Sequence, residues 1–173
     1  MHRLLLLRHA KAAAPAPGQD DHARDLNPRG LAASGVMAEY MALNELVPDL
    51  VLCSDARRTR ETWRRIVERN GWQETETRFL KALYLAEAER ILKLLAREAG
   101  SAQTVLVVGH NPGIEELAGS LADRSDREAR RDLAGGMATA TLVVLDPPDG
   151  FTHLAPGTCK VERIVHPRSL MQD

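Results

Sequence analysis

The chain has 173 residues, 44% of them hydrophobic and only 3% aromatic, and its formal net charge is −1. This length and apolar content fit a globular domain whose core is built mainly from Leu, Val and Ala, and they exclude a disordered chain. The lack of a basic surplus argues against a nucleic-acid binder.

The first element is the apolar run RLLLLR (3–8). Arg8 and His9 end it before the ~7–15 apolar residues of a signal peptide, and no stretch approaches the ~20 of a membrane span. A soluble, cytoplasmic protein without a membrane partner is expected. AAAPAPGQDDHARD (12–25) reads as a loop. NPRGLAASGVMAEYMALNEL (27–46) spaces Leu31, Val36, Tyr40 and Leu43 near the helical period, with Asn27 and Pro28 as cap and first turn. PDLVLCS (48–54) is the second apolar run, and Cys53 at its end reads as a small buried thiol. RRTRETWRRIVERN (57–70) is helical, with Trp63, Ile66 and Val67 on one face and Gly71 as a stop.

RFLKALY (78–84) is a further strand candidate, followed by the helical AEAERILKLLAREAG (86–100). TVLVVG (104–109) is the third run, and NPGIEELAGSLA (111–122) opens a helix on a second Asn-Pro pair. DRSDREARRD (123–132) mixes both charge signs and reads as a solvated helix or loop. TATLVVLD (139–146) is the fourth run, DPPDGFTHLAPG (146–157) a hairpin-like connection, and CKVERIV (159–165) an edge strand. Cys53 and Cys159 are too few for a disulfide framework and too far apart for a CxxC motif.

Continuous apolar runs alternating with helical segments predict an α/β fold. The expectation is a single domain over 1–173. It has a largely parallel central sheet of about six strands, one edge strand antiparallel, with helices on both faces.

Polar residues stand at the carboxyl ends of three runs. Arg8 and His9 follow the first, Ser54 and the Arg57/Arg58 pair the second, and Gly109-His110 the third. In open α/β sheets ligands bind outside those strand ends. If the three strands are neighbours, two imidazoles and at least two guanidiniums converge. Arginines grip oxyanions through paired N–H donors, and a helix starting at Pro112 adds its N-terminal dipole. Such a set suits a phosphate-like dianion, and an imidazole within it can act as nucleophile. Taken alone, Arg57, Arg58 and Arg60 read as a solvated helix face and GHNPG as a turn. His2, His22, His153 and His166 follow no buried run and carry no assigned role. No HExxH, GxSxG or Walker motif is present, and no metal or cofactor is expected.

LLLLRHAK, CSDARRTRETW and VLVVGHNPGIEELA, in that order, resemble the histidine phosphatase superfamily. RHAK, the D-x-x-R-D-L-x-x-x-G pattern at 21–30, ALYLA at 82–86 and GHNPG at 109–113 are similar to its SixA-type phosphohistidine phosphatase branch. The resemblance implies His9 as a transiently phosphorylated nucleophile. Arg8 and Arg58 would clamp the phosphoryl oxygens, His110 would complete the pocket, and Ser54 would shape the turn and contact phosphate. Arg58 rather than Arg57 takes the place of the family's arginine, four residues after the serine.

Two residues depart from the pattern: Asp55 stands where many relatives have Pro, and Glu61 where Gln is frequent. Larger relatives, such as phosphoglycerate mutases, carry a proton-donating Glu in an extra segment this chain lacks. Glu87 is the candidate donor here, with Glu89 beside it. A weak acid signal favours phosphohistidine over alkyl phosphates, because an alkoxide needs a proton donor to leave. The implied activity is therefore a metal-independent phosphatase acting on a phosphohistidine protein. The alternatives are a broad small-molecule phosphate monoesterase and a catalytically silent phosphate-binding module.

Overall fold

Six strands form one mixed sheet in the computed structural model, which describes residues 1–171. The strands are β1 (Arg3–Arg8), β2 (Leu50–Ser54), β3 (Glu76–Leu80), β4 (Thr104–Gly109), β5 (Leu142–Asp146) and β6 (Lys160–Val165). The helices are α1 (Pro28–Leu43), α2 (Arg57–Asn70), α3 (Ala88–Glu98), α4 (Gly113–Leu121), α5 (Arg127–Ala134) and α6 (Pro167–Leu170). Short 3-10 turns cover Asp21–Ala23 and Lys81–Leu83. The sheet order is β3-β2-β4-β1-β5-β6.

The leucine run shows why the strands are continuous rather than alternating. Leu4 to Leu7 are all fully buried. Leu4 and Leu6 pack with Leu94, Ile114 and Leu117 of α3 and α4 on one face. Leu5 and Leu7 pack with Met37, Met41, Trp63 and Ile66 of α1 and α2 on the other. With helices on both faces, every side chain of the strand is removed from water. No helix among the described residues is long and apolar enough to cross a membrane.

β3, β2, β4 and β1 are parallel. Arg8 pairs with Gly109 and Cys53 with Val108, so β1, β2 and β4 end at one level. β6 is the edge strand and pairs antiparallel with its neighbour, as expected. The reversed strand itself is β5, which runs against both β1 and β6. Its apolar run reads like those of the parallel strands because continuity reports burial on two faces, and Leu142 to Leu145 are as buried as β1.

Two further sequence expectations shift. In α1 the buried face is Gly30, Ser34, Met37, Ala38 and Met41, whereas Leu31 and Leu43 face solvent. Met37 and Met41 carry the apolar contact, while Gly30 fits against the Lys11 backbone, so the Leu31/Leu43 stripe does not mark the core side. RFLKALY divides into the end of β3 and a 3-10 turn, since β3 is a half-exposed edge strand with little apolar pattern.

Candidate active site

The shared level of β1, β2 and β4 delivers four side chains to one place. His9 leaves β1 in a turn tied on both sides. Its N–H donates to Gly109 O at 3.0 Å, and the Ala10 N–H donates to Thr62 Oγ1 at 3.0 Å. The Ala140 N–H is shared by the carbonyls of Arg8 and His9, with Ala140 held at a φ of 62°. The His9 ring is therefore fixed. Nδ1 donates to Ala10 O at 2.7 Å, leaving the Nε2 lone pair free to accept from Arg58 Nε at 3.4 Å.

Arg58 lies in the first turn of α2 and is only 3% exposed. Its Nη1 donates to Asp21 O at 2.8 Å, and its Nη2 reaches Asp21 Oδ2 at 3.0 Å and His110 Nδ1 at 3.3 Å. Since arginine only donates, His110 Nδ1 accepts and its Nε2 carries the proton, which goes to Ser54 Oγ at 2.8 Å. The His9 and His110 rings are 5.3 Å apart between centroids. Ser54 is fully buried, with its hydroxyl engaged by His110 and the Ala56 N–H. It orients His110 and the β2–α2 turn.

Arg8 enters from the other side. Its Nη1 donates to Met137 O at 2.8 Å, while its buried Nε has no partner among the described residues. Glu115 provides the facing negative charge and accepts from Asn111 Nδ2 and the Met137 N–H.

Burial controls protonation here. It pushes the His9 pKa down to about 4, opposed by the Ala10 carbonyl and assisted by the charges of Arg58 and Arg8. Burial, with His9 and Arg58 adding, pushes His110 down to about 3. Both imidazoles are therefore neutral at pH 7. The Tyr84 hydroxyl, then Arg24 and Arg58, hold the Asp21 carboxyl well below the usual carboxylate range. Asp21 is 44% exposed, so solvent screens part of that pairing.

The 21–30 pattern acquires a physical meaning. Asp21 grips Arg58, and Arg24 ties Asp21 to Ala13 O. Asp25 pairs with Arg57, and the Leu26 N–H donates to Glu61 Oε2 at 2.7 Å. Gly30 sits so close to Lys11 that a Cβ there would lie 2.2 Å from its carbonyl oxygen. The loop after the nucleophile is thereby strapped onto α1 and α2. ALYLA supplies Tyr84, whose hydroxyl donates to Asp21 and whose ring meets His110 edge-on at 5.4 Å. Gly113 opens α4 against Ala86, where a Cβ would come within 1.8 Å of the carbonyl oxygen.

His9, Arg58 and His110 are thus joined by hydrogen bonds, with Ser54 held against His110, and the charge of Arg8 acts on His9 from its seat on Met137. The acid candidates do not join them. Glu87 is exposed at the start of α3 and makes no hydrogen bond to the cluster. Glu89 pairs with Lys93 on the outer face of α3. Four residues escaped sequence reasoning: Asp21, Tyr84, Glu115 and His22. His22 donates from Nε2 to Asp55 Oδ1 at 2.8 Å and packs edge-on against Tyr84 at 4.9 Å. The replacement of Pro by Asp55 was a signal for that pair. Among the described residues, no group of three His, Cys, Asp or Glu side chains could hold a metal ion.

The chain is similar to known proteins in sequence and fold. The sequence model of the histidine phosphatase superfamily (branch 1) matches residues 4–89. An uncharacterized protein of Mycobacterium tuberculosis is 32% identical over 153 residues, covering 87% of this chain and 93% of that one. A protein from Agrobacterium tumefaciens bears the provisional name phosphohistidine phosphatase SixA. It is 31% identical, with a TM-score of 0.80 over 95% of this chain and 97% of that one. A similarly named protein from Nakamurella multipartitia is 29% identical, with a TM-score of 0.84 over 96% of both chains.

Proposed function

The chain belongs to the histidine phosphatase superfamily, in its SixA-like branch, and is a phosphatase; from that premise we propose that it hydrolyses protein phosphohistidine through a phosphorylated His9. One observation carries this reading. Two buried, neutral imidazoles face each other at 5.3 Å, with Arg58 donors aimed at both from a helix start.

The phosphoryl group sits between these rings. Arg58 Nε and Nη2 turn from the imidazole lone pairs to its oxygens, and the unpartnered Arg8 Nε supplies a third donor. His9 Nε2 attacks phosphorus, and the substrate P–N bond breaks as the N–P bond to His9 forms. The Ala10 carbonyl fixes the attacking tautomer and shares the positive charge that develops on the ring. A dianion next to His110 offsets the burial that keeps it neutral. Nδ1 takes up a proton and changes from acceptor to donor towards a phosphoryl oxygen, while the substrate imidazole, protonated by solvent on its other nitrogen, departs neutral. Water then attacks phosphorus, the bond to His9 breaks, and phosphate leaves with the water's proton.

Substrate choice follows from the carboxylates. Asp21 is held ionised and Glu115 is occupied as an acceptor, so neither provides a proton for an alkoxide. A general acid contributes roughly 10²–10⁴ in rate, and an imidazole leaving group depends on it least. Incubation with a phosphohistidine protein and with alkyl phosphate monoesters tests this directly. The expected kcat/KM ratio is about 10² or more in favour of the protein. Acid-labile phosphoenzyme should be trapped from wild type and not from His9→Ala. Equal turnover would make the enzyme a broad monoesterase, and absence of any phosphoenzyme would remove His9 as nucleophile.

A further inference from the structure

The segment 137–141 lies between two different surfaces. On one side Met137 and Ala140 brace Arg8 and His9. On the other lies a groove of about 830 Å³ walled by α1, this segment and α6. Lys11, Arg29 and Arg168 line it, over a floor that includes Ala138 and Pro167. All three cations are exposed, and among the described residues their side chains form no ion pair or hydrogen bond. Among the described residues no carboxylate lines the groove, and its one histidine, His166, is paired with Asp132.

Two other surface grooves differ. Between α1 and α2, Arg65 and Arg69 face Glu39 and Glu68. Beside β3, Arg78 faces Glu76 and Glu98. In the first the charges balance, and in the second the carboxylates of Asp49, Glu76 and Glu98 outnumber the one guanidinium. Among the described residues no carboxylate faces the three cations of the groove at 137–141, which lie over apolar side chains, and Lys11 is close in the chain to the nucleophile. Only Ala10 stands between His9 and Lys11 in the chain, a Cα span of about 7 Å at most.

We propose that this groove seats an acidic polypeptide segment of the substrate, next to the phosphorylated residue held in the pocket. The proposal rests on the reading that the substrate is a phosphoprotein. The three cations draw an acidic segment in and raise its local concentration, and the apolar floor takes its aliphatic stems. The volume accommodates several side chains.

Two measurements test the groove separately from the catalytic reading. The first is binding of a fluorescein-labelled hexaglutamate peptide to the intact protein, followed by anisotropy at low salt. Wild type should bind it, and R29E/R168E should weaken binding about tenfold or more. The second is turnover by the same variant. Its kcat/KM on a phosphohistidine protein with acidic residues beside the phosphorylated site should fall about tenfold. Its kcat on free phosphohistidine should remain that of wild type. A peptide that fails to bind wild type, or binds the variant equally, overturns the groove whatever the enzyme hydrolyses. Phosphatidylserine vesicles captured by wild type and released by the variant, without peptide binding, would assign the surface to a membrane and also overturn it. If wild type leaves phosphohistidine proteins untouched, the catalytic reading fails, and the peptide measurement still decides the groove.

Discussion

Arg57 and Arg58 are adjacent, chemically identical and in the same helical turn, yet they occupy opposite environments. The Arg58 side chain is 4% exposed, and it meets Asp21, His9 and His110. The Arg57 side chain is 57% exposed and meets Asp25 and Glu61 at the surface. A guanidinium gains chemical leverage when its donors are fixed and water is excluded. The outer residue keeps its solvent and contributes to fastening the loop.

The largest expected effect comes from removing the inner residue. Arg58→Ala should lower kcat by about 10²–10³, the usual loss when a fixed donor to transition-state charge is deleted. Arg58→Lys should recover little of it, since a point charge cannot reach Asp21, His9 and His110 together. Steady-state kinetics on a phosphohistidine substrate checks both.

Acid should expose the burial of the imidazoles. His9 titrates near 6.5 when unfolded and is pushed down to about 4 in the fold. The unfolded chain therefore binds the proton first as pH falls. Stability is fully present above about pH 6.5 and declines between there and about pH 4, by on the order of 3 kcal/mol. Urea denaturation across that window should show a shallower pH slope in His9→Ala than in wild type. An identical slope would break the link between burial and protonation.

A smaller effect is expected at Asp21, which acts on substrate only through Arg58. Asp21→Asn keeps its shape but weakens its grip on Nη2, and kcat should fall about tenfold with KM rising less. Least affected should be Arg57→Ala, with kcat unchanged and stability lowered by less than about 1 kcal/mol, as for exposed ion pairs. A large catalytic loss there would erase the distinction between the two arginines.

This pair also marks how far the sequence could be read. Helical periodicity alone places Arg57, Arg58 and Arg60 together, and physical reasoning would leave all three in solvent. Only the resemblance separated them. The four strand-end groups were legible because each follows a run of buried residues. Asp21 and Tyr84 were not, because a loop and a 3-10 turn carry no periodic signal and their partners lie 37 and 26 residues or more away in sequence. The reversed direction of β5 was equally hidden, since burial on two faces erases the alternation that would betray it. The inner face of α1 is hard to read for a related reason: Met37 and Met41 share it with the small Gly30, Ser34 and Ala38, while Leu31 and Leu43 lie outside.

Gly30 and Gly113 impose a consequence beyond catalysis. Each leaves no space for a methyl group beside a neighbouring carbonyl, at 2.2 Å and 1.8 Å. Any side chain at either position must displace backbone, and with it the strap behind His9 or the helix that follows His110. Altered substrate preference should consequently arise by exchanging residues 14–18, His22 or Asp55, while these two contacts hold the scaffold rigid. A library randomised at 14–18, 22 and 55 should retain folded, active members, whereas one randomised at 30 and 113 should lose nearly all of them.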